Sequence, residues 1–183
     1  MSDTAKSNQP RAVLLGVAGA GVVEVARELA RTHPDLSIVS VEKRASDAAG
    51  TAVSDVLIDR GEARYEQLIR QASLQALAEP SVVALPPQAP LNSEVAARLE
   101  EIKSRGGVII GFTAQLEELI RRTGLNAPRA AGLGPTRRMF ANLMKKYETA
   151  YEPLVTHKMD TTGLSVTRVS ERVFALIPGR AVS

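Results

Sequence analysis

The chain contains no cysteine and no tryptophan, and it has only three phenylalanines and three tyrosines. Without cysteine it can form no disulfide bond and offers no thiolate ligand to a metal. With so few aromatic side chains, the core must be built mainly from the aliphatic members of its apolar residues, which make up 44% of the chain. Strands rich in Val, Ile and Leu are typical of a parallel sheet that helices cover on both faces. The composition therefore favours that class of fold.

A strong excess of one charge and long apolar runs are missing as well. The net charge is +3, from 23 Lys and Arg against 20 Asp and Glu, and the positive residues are scattered along the chain. Because few aromatic side chains are available to stack on bases, no nucleic-acid partner is predicted. The segment Met1–Pro10 is polar and has neither the apolar stretch of a signal peptide nor that of a membrane span. We therefore expect a cytoplasmic protein with no membrane partner.

The domain organisation is expected to be simple. A chain of 183 residues is long enough to bury one sizeable core, and no repeat or linker divides it. We predict a disordered N-terminal tail at residues 1–10, a single domain at residues 11–178 and a C-terminal tail at residues 179–183. The two histidines, His33 and His157, have no partner at metal-ligand spacing, so no metal site is predicted.

Apolar runs and helical periodicity alternate along the chain. Five short apolar runs predict strands at Ala12–Leu15, Leu36–Val41, Ser81–Leu85, Val108–Phe112 and Leu154–Met159. Apolar residues at helical spacing predict helices over Tyr65–Ala76, Met139–Tyr151 and Val166–Phe174. Strands that alternate with helices indicate a three-layer α/β/α fold around a mostly parallel sheet.

A glycine-rich turn follows the first predicted strand. Gly16, Gly19 and Gly21 precede a helical run, and strand, glycine turn and helix are the context of a phosphate-binding loop. In the full motif, G-x-x-x-x-G-K-[ST], a lysine contacts the phosphates and a hydroxyl holds Mg²⁺. Here Val22 and Val23 take those two positions. The turn itself is compatible with residual anion binding or with a tight connection that binds nothing.

Taken together, several segments resemble the shikimate kinases from Ala12 to about Leu176. The segments that carry the resemblance are Gly50–Glu62 (GTAVSDVLIDRGE), Arg121–Asn126 (RRTGLN) with Arg129, Tyr151–Leu154 (YEPL) and Asp160–Ser165 (DTTGLS). The resemblance implies a P-loop nucleoside-kinase-like fold with a five-stranded parallel sheet, in agreement with the alternation above.

The resemblance also places the family's working residues. The lysine and serine that bind phosphate and magnesium fall on Val22 and Val23. The acidic pair that contacts the shikimate hydroxyls falls on Ser40 and Glu42, which leaves Glu42 as the only candidate base. The arginine that grips the shikimate carboxylate falls on Glu66, which would repel a carboxylate where arginine forms a bidentate pair.

Two more substrate-side positions differ from the family pattern. The family's Gly-Gly-Gly falls on Pro86, Pro87 and Gln88, and proline has no backbone N–H to donate. A second carboxylate-binding arginine falls on or beside Tyr147. The retained family residues are Gly16, Gly19, Gly21, Arg122 and Arg129, of which the two arginines could bind nucleotide. A different register could substitute Lys43 or Lys146 for one lost charge.

These differences predict a catalytically degenerate shikimate kinase-like protein that is kept for a binding or regulatory role. The resemblance links it to aromatic amino acid biosynthesis, with another enzyme of the shikimate pathway or a second copy of the chain as partner. On this hypothesis it uses no cofactor. One alternative is an active shikimate kinase that phosphorylates the shikimate 3-hydroxyl with ATP and Mg²⁺ at an unusual site. Another is a module that senses nucleotide without turnover.

Overall fold

A computed structural model of the protein describes residues 8–124 and 134–179, without the side chains of residues 134–136. The tails predicted at residues 1–10 and 179–183 therefore lie mostly outside the described residues. In the described ranges, no helix is both long and apolar enough to cross a membrane.

Five parallel strands form one sheet in the order β2-β3-β1-β4-β5. The strands are β1 Ala12–Gly16, β2 Ile38–Ser40, β3 Val82–Ala84, β4 Ile109–Thr113 and β5 His157–Asp160. All five residues of β1 are buried, and its Val13 pairs with Val83 on one side and Ile109 on the other. The predicted five-stranded parallel α/β fold is confirmed, with the first strand at its centre.

Eight α-helices connect and cover the strands in the described part of the chain. They are α1 Val22–Thr32, α2 Val41–Ala49, α3 Val53–Arg60, α4 Glu62–Ala76, α5 Ser93–Ser104, α6 Leu116–Arg122, α7 Gly134–Tyr151 and α8 Val166–Leu176. Helix α1 packs against α8, and α4 packs against α2, α3 and α5. The three helices predicted from periodicity are confirmed as α4, α7 and α8, although α4 and α7 begin earlier than predicted.

The second and the fifth predicted strands extend into neighbouring helical turns. The second ends at Ser40, because the Ser40 hydroxyl accepts a hydrogen bond from the Lys43 backbone N–H at 3.3 Å and so caps helix α2. The fifth begins only at His157, because Glu152–Leu154 forms a 3₁₀ turn that contains Pro153. In both places an apolar run continues across a change of backbone conformation.

Candidate functional site

The glycine-rich loop joins the carboxyl end of β1 to the start of α1. Its turn is closed by the Ala20 N–H, which donates to the Val17 carbonyl at 3.0 Å. Gly19 has φ +85°, a conformation that other residues adopt only with strain, and a Cβ there would lie 3.0 Å from the Leu119 carbonyl of α6. Gly21 then serves as the N-cap of α1. The predicted loop geometry, with a helix that begins at Val22, is confirmed.

Val22 and Val23 lie in the first turn of α1, at the positions of the motif's lysine and hydroxyl residue. Val22 is 7% exposed and packs on Gly16, where an added Cβ would lie 2.8 Å from Val22 Cγ2. Val23 is 46% exposed and lines the cavity beside the loop. Glu24 follows in the same turn and lines that cavity too, so its carboxylate lies near the positive end of the helix dipole.

We call the cavity between this loop, the start of α2 and the end of β3 the cleft cavity; its volume is about 280 Å³. Its polar and charged side chains come from Ser40, Glu42, Tyr65, Gln88 and Glu24. Among the described residues, the charged side chains that line it are those of the two glutamates. Pro86 and Pro87 form part of its wall, as the resemblance implies.

Glu42 lines the cleft cavity and also the cavity that contains Lys43, and the residue as a whole is exposed. Burial of its carboxyl raises the pKa of Glu42. Burial also raises the pKa of Tyr65, and the nearby Glu42 charge raises it further. The Tyr65 hydroxyl accepts a hydrogen bond from the Gln88 side-chain amide. Glu42 therefore lies close enough to Tyr65 for its charge to affect that hydroxyl, and its role as a base stays a prediction.

Glu66 and Tyr147 do not line the cleft cavity. Glu66 is exposed and lines a smaller neighbouring cavity of about 160 Å³, which shares Tyr65 and Gln88 with the cleft. Tyr147 is half-buried, and its proximity contributes to the raised pKa of Tyr65. Both residues therefore lie near the predicted substrate pocket rather than in it.

The two lysines that a different register could have recruited do not line the cleft cavity either. Lys43 forms an ion pair with Asp47 at 2.7 Å and lines a separate cavity on the other side of Glu42. Lys146 is exposed on α7. Arg129 and most of the glycine- and alanine-rich tract around it lie outside the described residues.

Arg122 ties three parts of the molecule together. Its guanidinium donates to the Glu118 carboxylate at 2.8 Å, to the Gly19 carbonyl at 3.2 Å, and to the Thr161 hydroxyl and carbonyl at 3.0 and 2.7 Å. The Thr161 hydroxyl also lies 3.0 Å from the Ala20 carbonyl. We call this set of contacts the Arg122 clasp. It holds the glycine-rich loop to α6 and to the turn after β5.

A second cavity of about 620 Å³ opens on the other side of the loop. We call it the base-side cavity, because Arg122, which the resemblance implies could bind a nucleotide, lines it. It is lined by Gly19, Ala20, Gly21, Glu24, Val25, Glu118, Arg121, Arg122, Thr123, Thr161, Gly163, Leu164, Ser165, Val166 and Val169. Sequence reasoning identified Arg122 here but missed Thr161 and Glu118. The position of Thr161 directly after a strand was a usable signal, because ligands of open α/β sheets bind beyond the carboxyl ends of the strands.

A parallel sheet whose first strand leads through a glycine-rich loop into a helix N-terminus defines the P-loop class of phosphate-binding folds. The model of the shikimate kinase family matches residues 18–178. The chain therefore belongs to the shikimate kinase family, and the resemblance inferred from the sequence is confirmed.

Individual relatives agree over nearly the whole chain. The shikimate kinase of Thermobifida fusca is 29% identical over 173 residues, which cover 94% of this chain and 97% of the relative. That of Salinispora tropica is 30% identical over 175 residues, with 92% and 98% covered. Among solved structures, the shikimate kinase of Acinetobacter baumannii in complex with shikimate covers 98% of both chains with a TM-score of 0.75 at 15% identity, which supports the fold.

The prediction that the protein uses no cofactor is wrong, because the relatives are shikimate kinases, which use ATP and Mg²⁺. The described residues fit only part of Mg-ATP. The loop backbone and the base-side cavity suit a nucleotide, whereas Val22 and Val23 supply neither the charge nor the hydroxyl that phosphates and Mg²⁺ require. In the described ranges, no group of three or more His, Cys, Asp or Glu residues could hold a metal ion. No phosphoryl-transfer step follows from these side chains.

Proposed function

We propose that this member of the shikimate kinase family binds nucleotide on its base side but does not transfer phosphate to shikimate, and that it serves a binding or regulatory role. The observation that carries the proposal is the pair Val22 and Val23 at the start of α1. Positioning and charge stabilisation do almost all the work in phosphoryl transfer. Removal of a single donor to the developing charge typically costs about 10²–10³ in kcat, and here two such groups are replaced by hydrocarbon.

The substrate side of the site supports the same proposal. A carboxylate substrate needs a cation, and the charged side chains that line the cleft cavity in the described part of the chain are Glu24 and Glu42. Pro86 and Pro87 remove two backbone N–H donors from its wall. A carboxylate in this cavity would be repelled by both glutamates.

Nucleotide binding is proposed because a cavity of about 620 Å³ lies beside the glycine-rich loop. The base-side cavity lies directly against Gly19–Gly21, and the Arg122 clasp fixes the loop beside it. As partner of such a protein we propose another enzyme of the shikimate pathway or a second copy of the chain. A regulatory role would then follow from nucleotide-dependent changes around the loop.

An active shikimate kinase is the second candidate, and the comparisons favour it. The relatives are named as shikimate kinases and align over at least 88% of this chain. Glu42 also has the raised pKa that suits a general base. Such an enzyme would use ATP and Mg²⁺, and the cation at the phosphates would have to come from a residue other than Val22.

The test is release of ADP from Mg-ATP in the presence of shikimate, with the Thermobifida fusca relative as positive control. We expect no ADP above background from this chain. A turnover of about one per second, at the low end for kinases, would contradict the proposal and support the second candidate.

Nucleotide binding is measured separately by the shift in melting temperature with ATP, because a ligand at a hundred times its Kd stabilises the fold by about 2.7 kcal/mol. No shift at millimolar ATP would refute the nucleotide part of the proposal.

A further inference from the structure

The cleft cavity combines a small volume with a charge pattern of one sign. At about 280 Å³ it lies just below the range of pockets that hold drug-sized ligands, so it suits a molecule of a single small ring. Its walls are partly apolar, from Val17, Val23, Leu85 and the two prolines. The polar groups that converge on it are the Ser40 hydroxyl, the Tyr65 hydroxyl, the Gln88 amide and the carboxylates of Glu24 and Glu42.

The positive end of helix α1 does not cancel this negative charge. A helix N-terminus is equivalent to about half a positive charge, and Glu24 in the first turn carries a full negative one. Glu42 adds a second carboxylate. The cations that line the adjoining cavities are already engaged. Lys43 pairs with Asp47 at 2.7 Å and Arg70 with Glu94 at 3.0 Å, while Arg121 and Arg122 pair with Glu118 at 2.7 and 2.8 Å.

In the described part of the chain, no interaction that would stabilise the charged form of Glu42 contributes to its pKa. Burial raises the pKa of the Glu42 carboxyl, and neither a hydrogen-bond donor nor a neighbouring cation among the described residues contributes to that shift. A ligand ammonium group beside Glu42 would form an ion pair with its carboxylate, whereas a ligand carboxylate would add repulsion.

We propose that the cleft cavity binds a small hydroxylated ring compound that carries an amine or no charge, with Glu42 and Glu24 as the residues that select against a carboxylate. The Tyr65 hydroxyl and the Gln88 amide, which are hydrogen-bonded to each other, are placed to contact the ligand hydroxyls. This inference deepens the proposed function and rests on it, since it assigns a ligand class to a cleft that does not process shikimate.

Three sugars with the same pyranose ring separate the effect of charge from that of shape: glucosamine, glucose and glucuronate. We expect the Kd measured by NMR titration at neutral pH to be about tenfold lower for glucosamine than for glucose, with no measurable binding of glucuronate. Glu42→Gln should bring glucosamine and glucose within about threefold of each other. Glu24→Gln should reduce the difference in the same direction, which gives a second variant if the first fails to fold.

Glu100→Gln is the matched control, because Glu100 is exposed on α5 and does not line the cleft cavity; it should keep the tenfold difference. Glucuronate binding as tightly as glucosamine, equal binding of all three sugars, or no binding of any of them would each overturn the inference. Its failure is distinct from failure of the proposed function, which is decided by ADP release with shikimate.

Discussion

Val22 and Val23 are neighbours in the sequence but occupy different environments. Val22 is almost fully buried and fills the space above Gly16, whereas Val23 is about half exposed at the cleft cavity. Restoring a lysine at position 22 therefore means that its stem must leave a packed site and its ammonium must reach the loop, as long cationic side chains can do. Restoring a hydroxyl at position 23 requires no such rearrangement.

We predict that Val22→Lys combined with Val23→Ser increases ATP affinity by at least about tenfold, because it places a cation and a hydroxyl at the phosphates. The double variant should be less stable than the parent by about 1–3 kcal/mol without ligand, since a buried valine is lost. Kinase activity with shikimate should stay absent while the cleft cavity carries Glu24 and Glu42 and no cation. Calorimetry and the ADP assay measure these effects.

Ile58→Lys is the control for added charge, because Ile58 is 82% exposed on α3. It should leave ATP affinity within about twofold of the parent, the change in long-range electrostatics being screened by salt. Equal ATP affinity in the parent and the double variant would show that positions 22 and 23 do not face the phosphates.

At the scale of secondary-structure elements, the Arg122 clasp joins α6, the glycine-rich loop and the turn after β5. Arg121 provides a natural comparison because it lies next to Arg122 on α6 and pairs with the same Glu118 carboxylate at 2.7 Å. The side chain of Arg121 is 66% exposed, whereas that of Arg122 is 21% exposed. Only Arg122 also reaches backbone carbonyls in two other elements.

We predict that Arg122→Ala lowers the free energy of unfolding by about 1.5–3 kcal/mol, because charge-assisted hydrogen bonds to largely buried acceptors are lost. Arg121→Ala should have a much smaller effect, as expected for an exposed ion pair. Urea denaturation of both variants gives the comparison, and hydrogen exchange at Gly19 and Ala20 should speed up only in Arg122→Ala. Equal destabilisation by the two variants would contradict the clasp.

The same cluster makes stability depend on pH. The hydrogen bond from Arg121 and then the charge of Arg122 lower the pKa of Glu118 from its ordinary value of 4.5 to about 2. A carboxylate with a depressed folded-state pKa contributes stability above its unfolded value, and the contribution is lost as the pH falls through the folded value. We therefore predict that Glu118→Gln is less stable than the parent at pH 7 and that the difference shrinks between about pH 4.5 and 2. Thermal denaturation across this range measures it; a constant difference would contradict it.

Local sequence patterns predicted the elements better than the contacts between them. The buried strand at Ala12–Leu15 follows from an apolar run and the helix at Val166–Phe174 from periodicity. The glycines set the register that places Val22 and Val23 at the motif's lysine and hydroxyl positions. The clasp was not predictable in this way, because Arg122 meets Gly19 across 103 residues and Thr161 across 39. The position of Glu66 was also beyond local patterns, since it depends on how α4 packs against α2, α3 and α5.

At the scale of the whole molecule, the parallel sheet places both cavities of the site at the carboxyl ends of its strands. β1 lies at the centre, so the loop that follows it separates the cleft cavity, towards β3 and β2, from the base-side cavity, towards β4 and β5. The glycine-rich loop therefore forms part of the wall of both cavities.

This arrangement predicts unequal costs for shortening buried residues in central and edge strands. Leu14 in β1 is fully buried between β3 and β4, whereas Ile38 in the edge strand β2 is only half-buried. Leu14→Ala should lower the free energy of unfolding by about 3–5 kcal/mol, because it removes buried methyl groups and leaves a cavity that close neighbours cannot fill. Ile38→Ala should cost less than half as much, since part of its side chain already contacts water. Urea denaturation monitored by circular dichroism measures both. Equal costs would mean that β2 is as deeply packed as β1. The strand that leads into the glycine-rich loop would then not be the most stable strand of the sheet.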